Sequence, residues 1–176
     1  MKKIVTIIFI VFCLCLNSCG LSDPYEISGL ENYNPHNSEY GTSDGIITDD
    51  FINKFDYISG NYHYVEADNF SLFRPVLDRS IIYLSYDSAV YADAKQYAMN
   101  NMSLSDDIVE ECNGYVFYDN YVDEDFSFPR NFKRFAYNDT HNTLIFIGFF
   151  TGEDFDLTDW EEFLEKHYGD WYNFSA

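Results

Sequence analysis

Cys112 is the thiol of greatest chemical interest in the body of the chain, and His63 and His141 are the imidazoles that would have to activate it. A nucleophilic cysteine needs a nearby base and an acid that orients the base. Neither histidine stands in a catalytic motif, and a lone cysteine is more often a small buried hydrophobe. Asp154, Asp156, Thr158 and Glu165 fall at positions 1, 3, 5 and 12 of a calcium-loop spacing, the oxygen-rich set a hard cation wants. Position 6 is Asp159 rather than the glycine that the sharp turn requires, so no metal site is expected there. Asp119, Asp123, Glu124 and Asp125 form a looser acidic stretch of the same ligand type. Tyr62, Tyr64, Tyr115 and Tyr118 are the rings to check for exposure, since exposed aromatics stack on sugars or anchor interfaces. Their ordinary use is to supply core. The chain has no Gly-x-Ser-x-Gly elbow, no Gly-rich phosphate loop, no His-Glu-x-x-His and no dinucleotide fingerprint. No catalytic residue and no cofactor is therefore expected.

The elements that would position these groups follow from hydrophobic period and turn chemistry. Tyr62 to Ala67 and Ser80 to Tyr86 read as strands, joined by a connection that Pro75 breaks. Asp87 or Ser88 starts a helix with Val90, Ala94, Tyr97, Ala98 and Met102 on one face. Leu104 to Cys112 reads as a further helical turn or two, Gly114 to Tyr118 as a strand, and Asp119 to Pro129 as an acidic loop. Phe132 to Tyr137 and Thr143 to Phe150 flank a five-residue loop and form a hairpin. The second arm is apolar on both faces and should be covered. Thr158 with Glu161 makes a capping box for a last helix through Phe163 and Leu164, ending near Gly169. The expected architecture is a single α+β domain over 47–176. It is a mainly antiparallel sheet with two or three helices on one face, and the first helix could cross over to make one parallel strand pair.

Charge narrows the partners. Ten Lys and Arg stand against 30 Asp and Glu, a formal net charge of −20. Nucleic-acid binding depends on neutralising phosphates with Lys and Arg, so it is excluded for the domain as a whole. Solubility, cation attraction or a basic partner are compatible. With 16 Tyr and 17 Phe the chain is far from the aromatic-poor composition of acidic disordered chains, so it folds. Cys13 and Cys15 lie in the apolar N-terminal run, which leaves Cys19 and Cys112 beyond it.

The N-terminus carries the most specific pattern. Lys2 and Lys3 precede an almost unbroken apolar run from Ile4 to Leu16, too short for the roughly 20 residues that cross a bilayer. Leu16-Asn17-Ser18-Cys19 follows. This layout resembles a bacterial lipoprotein signal peptide, with an apolar residue at −3, a small residue at −1 and the cysteine that becomes residue one. Asn17 is less usual at its position. The resemblance implies removal of residues 1–18 and lipidation of Cys19 with two acyl chains on a diacylglycerol, often with a third on the new amino group. Two chains suffice for stable anchoring. Residues 19–46 hold Asp23-Pro24, Asn34-Pro35, Gly29, Gly41 and Gly45 without periodicity, and read as a flexible tether. Tyr25, Tyr33 and Tyr40 are the residues through which it would fold back onto the domain.

The expected protein is extracytoplasmic, held to a bacterial membrane through lipid on Cys19, and a non-enzymatic binding module for an envelope protein or glycan. One alternative is a small-molecule or glycan binder with an aromatic-lined cleft, which a concave pocket with exposed rings would favour. The other is a carboxylate-dependent hydrolase, which two facing acids in a cleft would favour.

Overall fold

Strands with β-branched and aromatic residues at alternating positions build one seven-stranded sheet in the computed structural model, which describes residues 24–36, 49–67, 77–105, 108, 110–122, 131–152 and 157–169. The strands are β1 (Tyr25–Ser28), β2 (Tyr57–Ala67), β3 (Leu77–Tyr86), β4 (Glu110–Cys112), β5 (Tyr115–Val122), β6 (Asn131–Asn138) and β7 (Thr143–Thr151). Their spatial order is β1-β2-β3-β7-β6-β5-β4, and every neighbouring pair is antiparallel. The helices are α1 (Asp49–Ile52), α2 (Ser88–Asn101) and α3 (Trp160–Tyr168), with a single 3-10 turn at Leu30–Asn32. Among the described residues no helix is long and apolar enough to cross a membrane.

The α+β class and the antiparallel sheet agree with expectation, but the helices do not share a face. Successive side chains of a strand point to opposite faces. On β7, Leu144 and Phe146 join a core with Tyr62, Tyr64, Ile82, Leu84 and Phe135, covered by Phe51 of α1 and Tyr91, Ala94 and Ala98 of α2. Ile145, Ile147 and Phe149 join a second core with Ile81, Phe117 and Phe132, covered by Trp160, Phe163, Leu164 and Tyr168 of α3. The sheet is therefore sandwiched, which is why β7 is buried on both sides. The parallel pair considered for the first helix is absent: after α2 the chain enters β4 at the far edge, and β3 instead pairs antiparallel with β7.

Three further expectations change. Residues 25–28 are not tether. They form edge strand β1, paired from Tyr25 opposite Glu66 to Ser28 opposite His63, and Tyr33 packs edge-on against Tyr62 at 5.2 Å. Tyr40 and the residues before Pro24 lie outside the described residues. Glu110–Cys112 is a strand and not helix, because Asn113 and Gly114 both take positive φ (51° and 78°) and close a tight hairpin to Tyr115. The first residues of the expected acidic loop, from Asp119 to Val122, instead extend β5, with a bulge between Asp119 and Tyr121.

The helix ends are set by side chains. Asp87 caps α2, accepting from the Ala89 N–H at 2.9 Å. Asp159, not Thr158, caps α3 by accepting from the Glu162 N–H at 2.9 Å. Gly169 ends α3 at φ 51°, a conformation that suits glycine.

Candidate functional site

A concavity lies at the β4 edge, where the β4–β5 hairpin meets the start of α3. The sequence there is Glu110-Glu111-Cys112 on a three-residue edge strand, and a charged edge of this kind resists pairing with another sheet. The Asp159 cap brings the first turn of α3 alongside. Glu110, Glu111, Cys112, Asp159, Trp160 and Glu161 thus line a pocket of about 380 Å³. Its rim is acidic and exposed at Glu110, Glu111, Asp159 and Glu161, while Trp160 is buried at its base. Asp159 is committed to the helix cap. Among the described residues no group of three or more His, Cys, Asp or Glu could hold a metal ion.

Behind the pocket a cation is buried in the sheet. Arg134 of β6 sits opposite Asp119 of β5, and its Nε donates to the Asp119 carboxylate at 2.7 Å. Its guanidinium carbon lies 4.0 Å from the centroid of the Trp160 ring. Desolvation pulls the Arg134 pKa down, and the Asp119 charge and hydrogen bond restore part of the loss. Phe163 stacks nearly parallel to Trp160 at 5.4 Å, so helix, indole and cation form one pile. Among the described residues the indole Nε1 finds no acceptor.

At the turn end of the opposite face, Tyr91 and Lys95 of α2 both reach Asp139 in the β6–β7 turn. The Tyr91 hydroxyl donates at 2.8 Å and Lys95 Nζ at 2.7 and 3.0 Å. Lys95 Nζ also lies 3.3 Å from the centroid of the Tyr137 ring. Burial alone would push the Asp139 carboxyl up, but the hydrogen bonds from Lys95 and Tyr91 outweigh it and hold the group below the usual carboxylate range. The same acceptor, after burial, pushes the Tyr91 hydroxyl pKa upward. Near β1, His63 Nε2 and the Glu26 carboxylate are 2.6 Å apart. The Tyr64 hydroxyl donates to Glu66 at 2.7 Å, and the buried Asp78 carboxylate lies 3.4 Å from it.

The residues singled out in the sequence are dispersed. His63 on β2 and Cys112 on β4 are five strand spacings apart, about 24 Å. His141 is exposed in the β6–β7 turn, where its backbone N–H donates to Asn138. Tyr62, Tyr64 and Tyr115 are core, at most 2% exposed, and only Tyr118 of the four is partly open. Tyr115 is tied to Thr143 at 2.8 Å, and burial pushes its hydroxyl up to about 12. Of the calcium-type set, Asp154 and Asp156 lie outside the described residues, as do Asp123, Glu124 and Asp125, while Thr158 and Glu165 flank and join α3. A helical reading of Glu110 and Glu111 hides this pocket in the sequence. Asn113-Gly114, a strong hairpin signal, was the cue that would have placed them. No protein-family model, no curated protein and no solved structure matches this chain.

Proposed function

We propose that this is a lipid-anchored extracytoplasmic protein, attached to a bacterial membrane through Cys19, whose acidic α+β domain serves as a binding module for a basic envelope protein. The observation that carries the reading is Lys2-Lys3, the apolar run Ile4 to Leu16 and Leu16-Asn17-Ser18-Cys19 in sequence. The net charge of −20 and the exposed carboxylates around the β4-edge pocket support a basic partner over an anionic one. Of the four rings to check for exposure, Tyr62, Tyr64 and Tyr115 are buried in the core, which gives the glycan-binding alternative no support from them. The test is metabolic labelling with an alkyne-bearing fatty acid in a bacterial host. Label is expected on the wild-type chain and absent from Cys19→Ser. Equal labelling of both, or of neither, contradicts the reading.

A second reading, a carboxylate-dependent hydrolase, draws on Glu110, Glu111 and Glu161 facing one pocket. It requires that Glu110→Gln or Glu111→Gln abolish a hydrolytic turnover that wild type performs.

A further inference from the structure

The place where the sheet begins fixes which side of the domain an anchor at Cys19 can bring to the membrane. β1 starts at Tyr25, and Pro24 is the residue before it. The five peptide steps from Cys19 to Pro24 span at most about 18 Å when fully extended. A tether of the full length expected from sequence would have let the domain turn freely, but this one is shorter than the domain it holds. Tyr25 lies opposite Glu66, and the same row continues across the sheet through Asp78, Phe150 and Asn131. The opposite end of the sheet, at Ser85, Thr143 and Asn138, is seven residues further along β3, about 23 Å. The β4 edge is six strand spacings from β1, about 29 Å.

Surface chemistry runs the same way. Tyr25 is 59% exposed at the start of β1, and an amphipathic ring suits a headgroup layer. Of the described carboxylates at this corner, Glu26 pairs with His63 and Glu66 accepts from Tyr64. The β4 edge presents exposed Glu110, Glu111, Asp159 and Glu161.

We propose that the β1 corner of the sheet faces the bilayer and that the β4 edge with its acidic pocket faces away from it. This rests on the anchor at Cys19 proposed above. The geometry keeps Tyr25 within the reach of the short tether while leaving the pocket open to a partner approaching from the aqueous side.

The experiment uses the full chain, expressed with its N-terminus intact, in a Cys112→Ser background. Single fluorophores are placed at Tyr25→Cys, His141→Cys and Glu111→Cys, and the protein is incorporated into vesicles of phosphatidylethanolamine and phosphatidylglycerol carrying a headgroup nitroxide. Where Tyr25→Cys lowers Tm, Pro24→Cys supplies the near site. Quenching is expected to be several-fold stronger at the near site than at Glu111 or His141. Equal or reversed quenching in protein that floats with the vesicles overturns the orientation and leaves the anchor standing. Protein that does not float and carries no lipid on Cys19 removes the anchor, and the orientation with it.

Discussion

Arg134 and Asp119 face each other across β6 and β5, and their 2.7 Å ion pair is almost wholly inside the protein on the arginine side, with 5% of the Arg134 side chain exposed against 26% of Asp119. Desolvating the guanidinium is costly, and the pair survives because Asp119 and the Trp160 ring replace the lost water. The pair joins β5 to β6, and Arg134 meets α3 through the Trp160 ring, beside the contacts that Phe117 and Phe132 make with it.

Breaking that pair from one side should cost more than removing its cation. Asp119→Ala strands a buried charge and is expected to destabilise the fold by about 3–5 kcal/mol. Arg134→Met keeps an unbranched apolar side chain near Trp160 and should cost clearly less. Denaturant unfolding of both variants checks the order, and Arg134→Met as the worse variant would contradict it.

Trp160 separates ring packing from hydrogen bonding. Its ring packs on Phe117, Phe132, Phe163 and Arg134, while its buried Nε1 has no acceptor among the described residues. Trp160→Ala should cost about 3–5 kcal/mol. Trp160→Phe keeps an aromatic ring and discards the unsatisfied N–H, so it should lose less than about 1.5 kcal/mol. Thermal unfolding of the two variants reads the difference, and equal losses would show that the N–H has a partner that matters.

The architecture was largely legible where side-chain period and turn chemistry agreed. Thr143 to Phe150 is apolar at both parities, and only a strand covered on both faces satisfies that pattern. The same fact ruled out helices on one face only, but it has to be applied to the whole sheet to see it. Short edge strands were not legible. Tyr25–Ser28 lies between Pro24 and Gly29, and its pairing with β2 is a long-range contact that no local window contains. Glu110–Cys112 carries no β-branched residue, and its strand state comes from the Asn113-Gly114 turn rather than from its own propensity. At the α3 start, Thr158 and Asp159 are both good caps, and backbone position alone decided for Asp159. The pocket depends on both missed features, so it was not legible.

Asp139 links α2 to the β6–β7 turn through Tyr91 and Lys95. The ion pair alone is exposed on the Asp139 side and is worth at most about 1 kcal/mol. Loss of the acceptor for the buried Tyr91 hydroxyl should make Asp139→Ala worse than Lys95→Met, by about 1 kcal/mol. Asp139→Asn retains an acceptor and should fall between them. Chemical denaturation of the three variants checks the order, and Lys95→Met as the most damaging change would contradict it.

His167 gives the fold a pH dependence on the mildly acidic side. It packs on Phe149 and Phe163 at ring separations of 4.9 and 4.6 Å. Burial, with Lys166 and Arg79 adding to it, pushes its pKa from 6.5 down to about 4. The unfolded chain then binds a proton that the folded chain refuses, so stability rises with pH across this window. The His167 contribution is complete above about pH 6.5 and is lost as pH falls from there toward 4. His167→Phe should flatten stability between those values relative to wild type, as measured by thermal unfolding in a pH series. Parallel curves for both proteins would place the titration elsewhere.

The anchor is the central claim, and intact mass with Triton X-114 partitioning of the protein from a bacterial host tests it most directly, beside a Cys19→Ala variant. Wild type is expected in the detergent phase, with its N-terminus at Cys19 and a lipid-sized mass gain on that residue, while Cys19→Ala stays aqueous and unmodified. Wild type that is aqueous, unmodified and cleaved elsewhere or not at all would contradict the account.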